Sequence, residues 1–587
     1  MESAAEIRKF TVSRFRGIEK LEWRPAPGMN MILGGGDVGK TTILEAIALL
    51  LSPTNATTVS ESDYWQRDSS QEFLIEAVIA LSEASGINTQ QNFSWPWTWD
   101  GTDAALPAAK EDGDDMPDAD DPVYRVRVRG TTELELAWEI VQPNGDAGHF
   151  SVSVRRKIGV VRLSADERND RDLRLVYGSG LDRLLADGAL RARIGKRISE
   201  LDLEESLNDE GKTAIDELDK RLVGSALPHD LKLGLTTSQG LSIGALIGLL
   251  AKKHEASLPL ASWGAGTRRM VALEIASAAD KEASITLVDE IERGLEPYRL
   301  RKLVNIISGE AGQAFITTHS PVAIACSEKA QLWYMDGFGG VGALPRGKIA
   351  AQQRRDPETF LAKVAVIAEG PTEVGFLQFL LEKAFASAPL DHGVRACDGQ
   401  GNSAALDLLE TLSASGLLFA GLVDNEGTDP GRWQALKQKL GDRLHQWQDG
   451  CTEQHVIAAI AEDKLPELLK DADGAHDGDR LRTIADRLGI KDKHLASIEQ
   501  ALADQGKTLR QLIVAAATGS KDGAPAGEDK AWKKHPRHWF KSEEGGHELA
   551  QRMIALGAWD AISPQVLPLL NAILVAAGLP AKDKLAL

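Results

Sequence analysis

The sequence predicts an α/β chain with a nucleotide-binding part towards the N-terminus and a second, parallel-sheet part towards the C-terminus. Three observations predict this. An apolar run from Met29 to Leu33 leads into a glycine-rich loop and then into an apolar helical pattern over 43–51. A second apolar strand pattern, 285–288, ends in two acids, Asp289 and Glu290. From residue 364 onward strand and helix patterns alternate, and such alternation implies a parallel sheet.

The glycine-rich loop runs Gly34-Gly-Gly-Asp-Val-Gly-Lys-Thr41 and fits G-x-x-x-x-G-K-[ST]. Gly34, Gly36 and Gly39 let backbone N–H groups close around phosphates, and the helix that follows adds positive potential at its N-terminus. Lys40 is expected to reach the β- and γ-phosphates of ATP. Thr41, with Thr42 beside it, is expected to hold Mg²⁺.

Bulk composition narrows the function classes. A chain of 587 residues has room for about three or four domains. Its net charge of −19 argues against general adhesion to polyanions, so a nucleic-acid site would be a local basic patch or a metal-bridged one. Cys326, Cys397 and Cys451 lie far apart with no C-x-x-C, which speaks against a zinc ribbon and fits a reducing cytoplasm. No run of 18 apolar residues is present, so no membrane span or membrane partner is expected.

In chain order, residues 7–33 read as strands leading into the phosphate loop, and 73–81 as another strand. Residues 99–122 form an acidic loop. The alternation over 123–129 puts Arg125, Arg127 and Arg129 on one face, read as a solvated sheet face in preference to a DNA strip. Residues 170–258 carry helical spacing, including an amphipathic pattern over 196–207, and suggest a helical arm or dimerisation insert. Ser262-Trp-Gly-Ala-Gly266 opens a helix through Ala279. Asp289 at the end of its strand suits a Walker B acid on the Mg²⁺ shell, with Glu290 polarising the attacking water. His319 ends the next strand, where a γ-phosphate sensor would sit.

The order of phosphate loop, Ser-x-Gly-x-Gly helix, hydrophobic-Asp-Glu and Thr-His-Ser resembles an ABC-type ATPase head of the SMC, Rad50 and RecF kind. That resemblance implies a dimer in which Ser262, Gly264 and Gly266 of one copy complete the ATP site of another. The segment departs from the usual Leu-Ser-Gly-Gly-Gln.

The second chemical centre begins at 364. One strand ends in Glu369, and a helix start carries Glu373. A third strand ends at Asp424, followed by Glu426. Carboxylates gathered at one strand edge repel unless a cation sits between them, and oxygen ligands without His select Mg²⁺ or Mn²⁺. Two such ions can activate water and stabilise the leaving oxygen of a phosphodiester. Glu-Gly-x-x-Glu followed by Asp-x-Glu resembles a TOPRIM domain, with Glu426 standing where those proteins usually have Asp. The five tyrosines all precede residue 335, which argues against a topoisomerase, and the cysteines exclude a primase zinc module.

An ABC-type head followed by TOPRIM is similar to the OLD (overcoming lysogenisation defect) family of ATP-dependent nucleases, closest to the class that works beside a helicase, as in Gabija defence. The resemblance implies a catalytic lysine after the TOPRIM core and a further metal ligand. Lys541, in the basic and aromatic run 530–541, fits the first, and Glu453 the second. Trp532, Trp539 and Phe540 are expected to stack on bases or sugars.

The expected organisation is an ATPase first part over 1–169, a helical dimerisation insert over 170–258, an ATPase second part over 259–355, and a TOPRIM domain with a helical extension over 356–587. The expected function is a cytoplasmic, two-metal DNA endonuclease with ATPase activity in phage defence or DNA processing. It would act on DNA as a homodimer or larger, with a helicase as possible partner. The alternative is an ATP-driven DNA-binding scaffold of SMC or RecF type whose TOPRIM is degenerate.

Overall fold

A computed structural model describes residues 5–585 apart from 83–84, 88–93, 108–120, 164–172, 177–178, 254–255, 280–284, 310–311, 471–476 and most of 186–246. The core of the acidic loop and the amphipathic pattern over 196–207 therefore lie outside the described residues. The chain divides into two compact units, Met1–Phe10 with Leu44–Ile316, and Thr11–Ile43 with Thr317–Leu587.

In the first unit an antiparallel sheet runs from Phe73–Leu81 through Pro122–Gly130 and Leu136–Val141 to Ala147–His149. The alternation of Pro122–Gly130 buries Val123, Val126 and Val128. Its arginines are paired: Arg125 with Glu76 and Asp103, Arg127 with Glu139, and Arg129 with Glu72 and Glu139. This is the solvated, charge-balanced face that the alternation predicts. Val160–Leu163, Ile285–Val288 and Ala314–Thr317 pair in parallel. The last two are buried along their length, as unbroken apolar runs in parallel sheets are. Ala265–Ala279 is helical, as its opening pattern predicts. The described part of 170–258 holds a short helix, Gly180–Leu185, and a hairpin of Leu250–Lys253 with Ala256–Pro259. The segment expected to be helical thus carries β structure near its end.

In the second unit Met29–Gly34 pairs in parallel with Gln331–Met335. Further on, four parallel strands stand in the order Val394–Asp398, Val364–Ala368, Leu418–Val423, Leu444–Gln446. The centre strand, Val364–Ala368, is buried throughout. Pro371–Phe385, Asn402–Leu412 and Pro430–Leu440 are the connecting helices. Among the described residues six longer helices follow, from Thr452–Ala459 to Trp559–Ala576, and their apolar faces join the strands in one core.

Trp559–Ala576 is long and apolar enough by length and composition to cross a membrane, although Asp560, Ser563, Gln565 and Asn571 interrupt it, so it is not the unbroken apolar run whose absence the sequence shows. Its Ile562, Val566, Leu569 and Ile573 lie inside the core of the second unit, and it contains Pro564 and Pro568.

Two helices cross at paired glycines. A Cβ on Gly375 in Pro371–Phe385 would stand 1.8 Å from the Glu543 carbonyl oxygen, and one on Gly546 in Glu543–Ala555 would stand 1.9 Å from that of Thr372. Only glycine allows backbones this close. The contact fixes the carboxylate-bearing helix against the segment that carries Lys541.

Candidate functional site

The phosphate loop is built as its pattern requires. Gly34 has φ +148°, and a Cβ there would meet the Met335 carbonyl oxygen at 2.5 Å; Gly39 has φ +104°. Lys40 begins the helix Lys40–Leu50, and its ammonium donates to the Gly34 and Gly35 carbonyls at 3.1 and 2.5 Å. Thr41 is exposed and Thr42 half-buried at the loop's end, while Gly36 has open space around it. Asp289 and Glu290 follow Ile285–Val288, and the Asp289 amide donates to the Leu163 carbonyl at 3.0 Å. Glu290 sits at φ +46°. His319 is exposed just after Ala314–Thr317.

Ser262 and Gly264 are exposed before their helix, and Gly266 is packed against the turn after Glu290: a Cβ on it would stand 2.3 Å from the Gly294 carbonyl oxygen. Buried Arg269 on the same helix donates to the Asp289 and Arg293 carbonyls, which ties the helix to the turn after Ile285–Val288.

The C-terminal carboxylates converge as predicted. Glu369 follows the Val364–Ala368 strand, Glu373 lies in the first turn of Pro371–Phe385, Asp424 follows Leu418–Val423, and Glu453 lies in the first turn of Thr452–Ala459. Their exposures are 7, 2, 5 and 0%. Glu426 differs: it is exposed, at the rim of the same cavity of about 580 Å³. Lys541 lies 3.3 Å from the Glu453 Oε1, so the basic residue and the acids share one site.

Neighbours that the sequence did not single out hold the acids in place. The Asn402 Oδ1 accepts from the Trp433 indole and the Thr428 hydroxyl, both at 3.0 Å. That orientation aims its Nδ2 at Glu369 Oε2, 2.9 Å away, which also accepts the Asp424 amide at 3.0 Å. Thr452 gives both its amide and its hydroxyl to Asp424 Oδ1. The Thr372 hydroxyl lies 2.9 Å from the Phe540 carbonyl and 3.4 Å from Glu453 Oε1. Cys451 lies beside Asp424 and Glu453, with one donor atom from each of the three within 4.8 Å of the others. None of these contacts leaves a periodic signal, although Cys451 stands only two residues before Glu453.

The electrostatics are strained. Burial, then repulsion from Glu453 and Glu369, pushes Asp424 up to about 7. Burial, then Asp424 and Glu453, holds Glu373 well above the usual carboxylate range. Burial raises Glu369 too, against the hydrogen bonds from Asn402 and the Asp424 amide. Burial opposes the Lys541 charge, but Glu453, Glu373, Cys451 and Asp424 outweigh it and hold the ammonium above its ordinary value. Among the described residues, Glu373 Oε1 and Glu453 Oε2 are buried with no hydrogen-bond partner. A divalent cation with oxygen ligands fits this donor set, because it would satisfy both orphaned oxygens and offset the repulsion.

The aromatic residues near Lys541 are not a stacking surface for bases, contrary to expectation. Trp532, Trp539 and Phe540 are buried. Arg487 lies over the Trp532 ring, and Arg480 lies over those of Trp539 and Phe540. Arg480 is itself buried, pairs with Glu548 at 2.6 Å and donates to the His538 carbonyl at 3.1 Å. These rings anchor the lysine-bearing segment inside the core.

Comparisons with known proteins place the N-terminal half. No curated protein matches the chain. Among solved structures, the chain is similar to an SMC head bound to the C-terminal winged-helix domain of ScpA, at 16% identity over 58% of this chain and 97% of that one, with a TM-score of 0.32. It is also similar to an SMC head with an extended coiled coil bound to the C-terminal domain of ScpA, derived from Pyrococcus furiosus, at 15% identity over 59% and 98%, with a TM-score of 0.33. A third is the recombination mediator RecF with ATP, at 14% identity over 59% and 99%, with a TM-score of 0.32. The family model described as "AAA domain, putative AbiEii toxin, Type IV TA system" matches residues 29–325, half of the chain, and encloses the phosphate loop and the Asp289-Glu290 strand end. The chain belongs to this AAA-domain family, and its N-terminal half is a P-loop ATPase domain.

Proposed function

We propose that the chain is an ATP-binding, metal-dependent DNA endonuclease of the OLD type, with a TOPRIM-like site in 356–587. The observation that carries this reading is the cluster of Glu369, Glu373 and Asp424 around one cavity that Lys541 also lines, with Glu453 buried against Lys541 and two buried oxygens of Glu373 and Glu453 unpartnered. Divalent cations, when bound there, supply the activation of water and the charge neutralisation that phosphodiester cleavage needs. Glu426 at the rim would add a weaker, outer ligand. Asn402, Thr452 and Thr372 orient the acids. Lys541 faces the position of the scissile phosphate and offsets charge on the leaving oxygen.

In the ATPase part, which we assign to 1–169 and 259–355 around an insert at 170–258, Gly34, Gly36, Gly39, Lys40, Thr41 and Thr42 would hold ATP and Mg²⁺. Asp289, Glu290 and His319 would serve hydrolysis. Ser262 and Gly264 are exposed, as residues offered to a second copy would be. The corresponding partners are DNA, a second copy of the chain and a helicase, in the cytoplasm.

The test is supercoiled plasmid incubated with Mg²⁺ or Mn²⁺, with and without ATP. Nicking that vanishes in a folded Asp424→Ala protein supports the reading, and equal nicking by that variant overturns it. The exposure of Glu426 keeps a second reading in play, an ATP-driven DNA-binding protein that does not cut. It predicts ATP-dependent plasmid retention with no nicking in either metal.

A further inference from the structure

We propose that Cys451 joins Asp424 and Glu453 in a mixed sulfur–oxygen cation position, and that this position takes a thiophilic divalent cation of the Zn²⁺ class in preference to Mg²⁺. The inference rests on reading the carboxylate cluster as a metal site, and it deepens that reading by naming the cation class.

Three donor atoms, the Cys451 sulfur and one carboxylate oxygen each from Asp424 and Glu453, lie within 4.8 Å of one another. A tetrahedral ion draws such donors to about 3.5 Å apart, so small side-chain rotations close the set. Cys451 is free of any disulfide and faces the same cavity as Asp424. Cys451 is the N-cap of Thr452–Ala459, a place where Ser, Thr, Asp and Asn serve best, and its amide donates to the Gln454 Oε1 at 2.9 Å.

A second observation points to a ligand. Glu453 is fully buried; its Oε1 meets Lys541 and Thr372, and its Oε2 has no partner among the described residues. Hard cations such as Mg²⁺ avoid sulfur, whereas Zn²⁺ and Co²⁺ accept mixed thiolate and carboxylate sets. On binding, the sulfur–metal bond forms as the thiol proton leaves to solvent.

The full-length chain, stripped with chelator and titrated with Co²⁺, tests this. The expected result is a thiolate-to-cobalt charge-transfer band in the near ultraviolet, bleached by equimolar Zn²⁺ and not by a large excess of Mg²⁺. Cys451→Ser removes the band and weakens Zn²⁺ binding about 10-fold or more, while Cys326→Ser keeps both. Equilibrium dialysis read beside the absorbance separates two failures. Stoichiometric Co²⁺ that is lost in Asp424→Asn but gives no thiolate band overturns the role of Cys451 and leaves the carboxylate site standing. No bound Co²⁺ at all overturns both.

Discussion

Asp424 shows what four buried acids cost when no cation is bound. Its folded-state value of about 7 lies above the unfolded value of 3.8, so the folded chain retains a proton that the unfolded chain gives up. Stability carried by that proton is complete below about pH 4 and is lost as pH rises through about 7. Each unit of such a shift is worth about 1.4 kcal/mol. In chelator, the melting temperature is therefore expected to fall from about pH 5 to about pH 8, and Asp424→Asn should flatten the slope while raising the value at the alkaline end. Glu369 and Glu373 line the same cavity and, raised by burial against the opposing charge of Lys541, contribute to the slope. An unchanged slope in Asp424→Asn would show that the repulsion is relieved elsewhere. Lys541 makes the complementary case. Its ammonium is half-exposed beside Glu453 and lines the cavity that the acids share. Lys541→Met is expected to slow plasmid nicking about 100-fold or more while metal binding, read by dialysis, persists.

At the scale of elements, the lysine reaches the acids only because two helices touch at glycine. Alanine normally favours a helix interior over glycine by about 1 kcal/mol. At Gly375 the added methyl would meet the Glu543 backbone instead, and at Gly546 that of Thr372. Gly375→Ala is expected to lower stability by about 1–3 kcal/mol, read by thermal melting, and to reduce nicking more than the stability loss accounts for. A stabilised, fully active Gly375→Ala protein would show that the helices part freely. The strands and first-turn acids around this crossing were legible, since unbroken apolar runs ending in acids have few other readings. The crossing was not, because it joins glycines distant in sequence that no local period connects. Asn402 escaped notice for the same reason: it acts through Trp433 and Thr428, which the helix Pro430–Leu440 and the loop before it bring to it. The error over Trp532, Trp539 and Phe540 has a different cause. Basic neighbours made the run look solvated, yet Arg480 and Arg487, both from the helix Asp477–Leu488, cover the rings.

For the molecule as a whole, the sequence spelled out two chemical centres far more clearly than it spelled out the chain between them. Pattern-bearing residues, Gly34 to Thr41 and Glu369 to Glu426, are constrained by the chemistry they suit. The stretch 170–258 carries no such chemical pattern, and its one described hairpin was not foreseen. The strongly negative net charge also shapes expectation, because nucleic acid must be drawn to local positive groups such as Lys541 or to bound cations. Two centres with separate residue sets should fail separately at the level of ligand binding. In the phosphate loop Lys40 donates to the Gly34 and Gly35 carbonyls, a loop closed on itself that nucleotide phosphates would open by taking over the ammonium. Lys40→Ala is therefore expected to lower ATP turnover by about 100-fold or more and leave divalent-cation binding at Asp424 unchanged. Asp424→Asn should do the converse, with ATP turnover in the absence of DNA intact and cation binding lost. Nicking measured in Lys40→Ala then reads the link between them: a loss of nicking with cations still bound would mean that the nucleotide controls cutting. Loss of cation binding in Lys40→Ala itself would instead mean that the two centres fold as one.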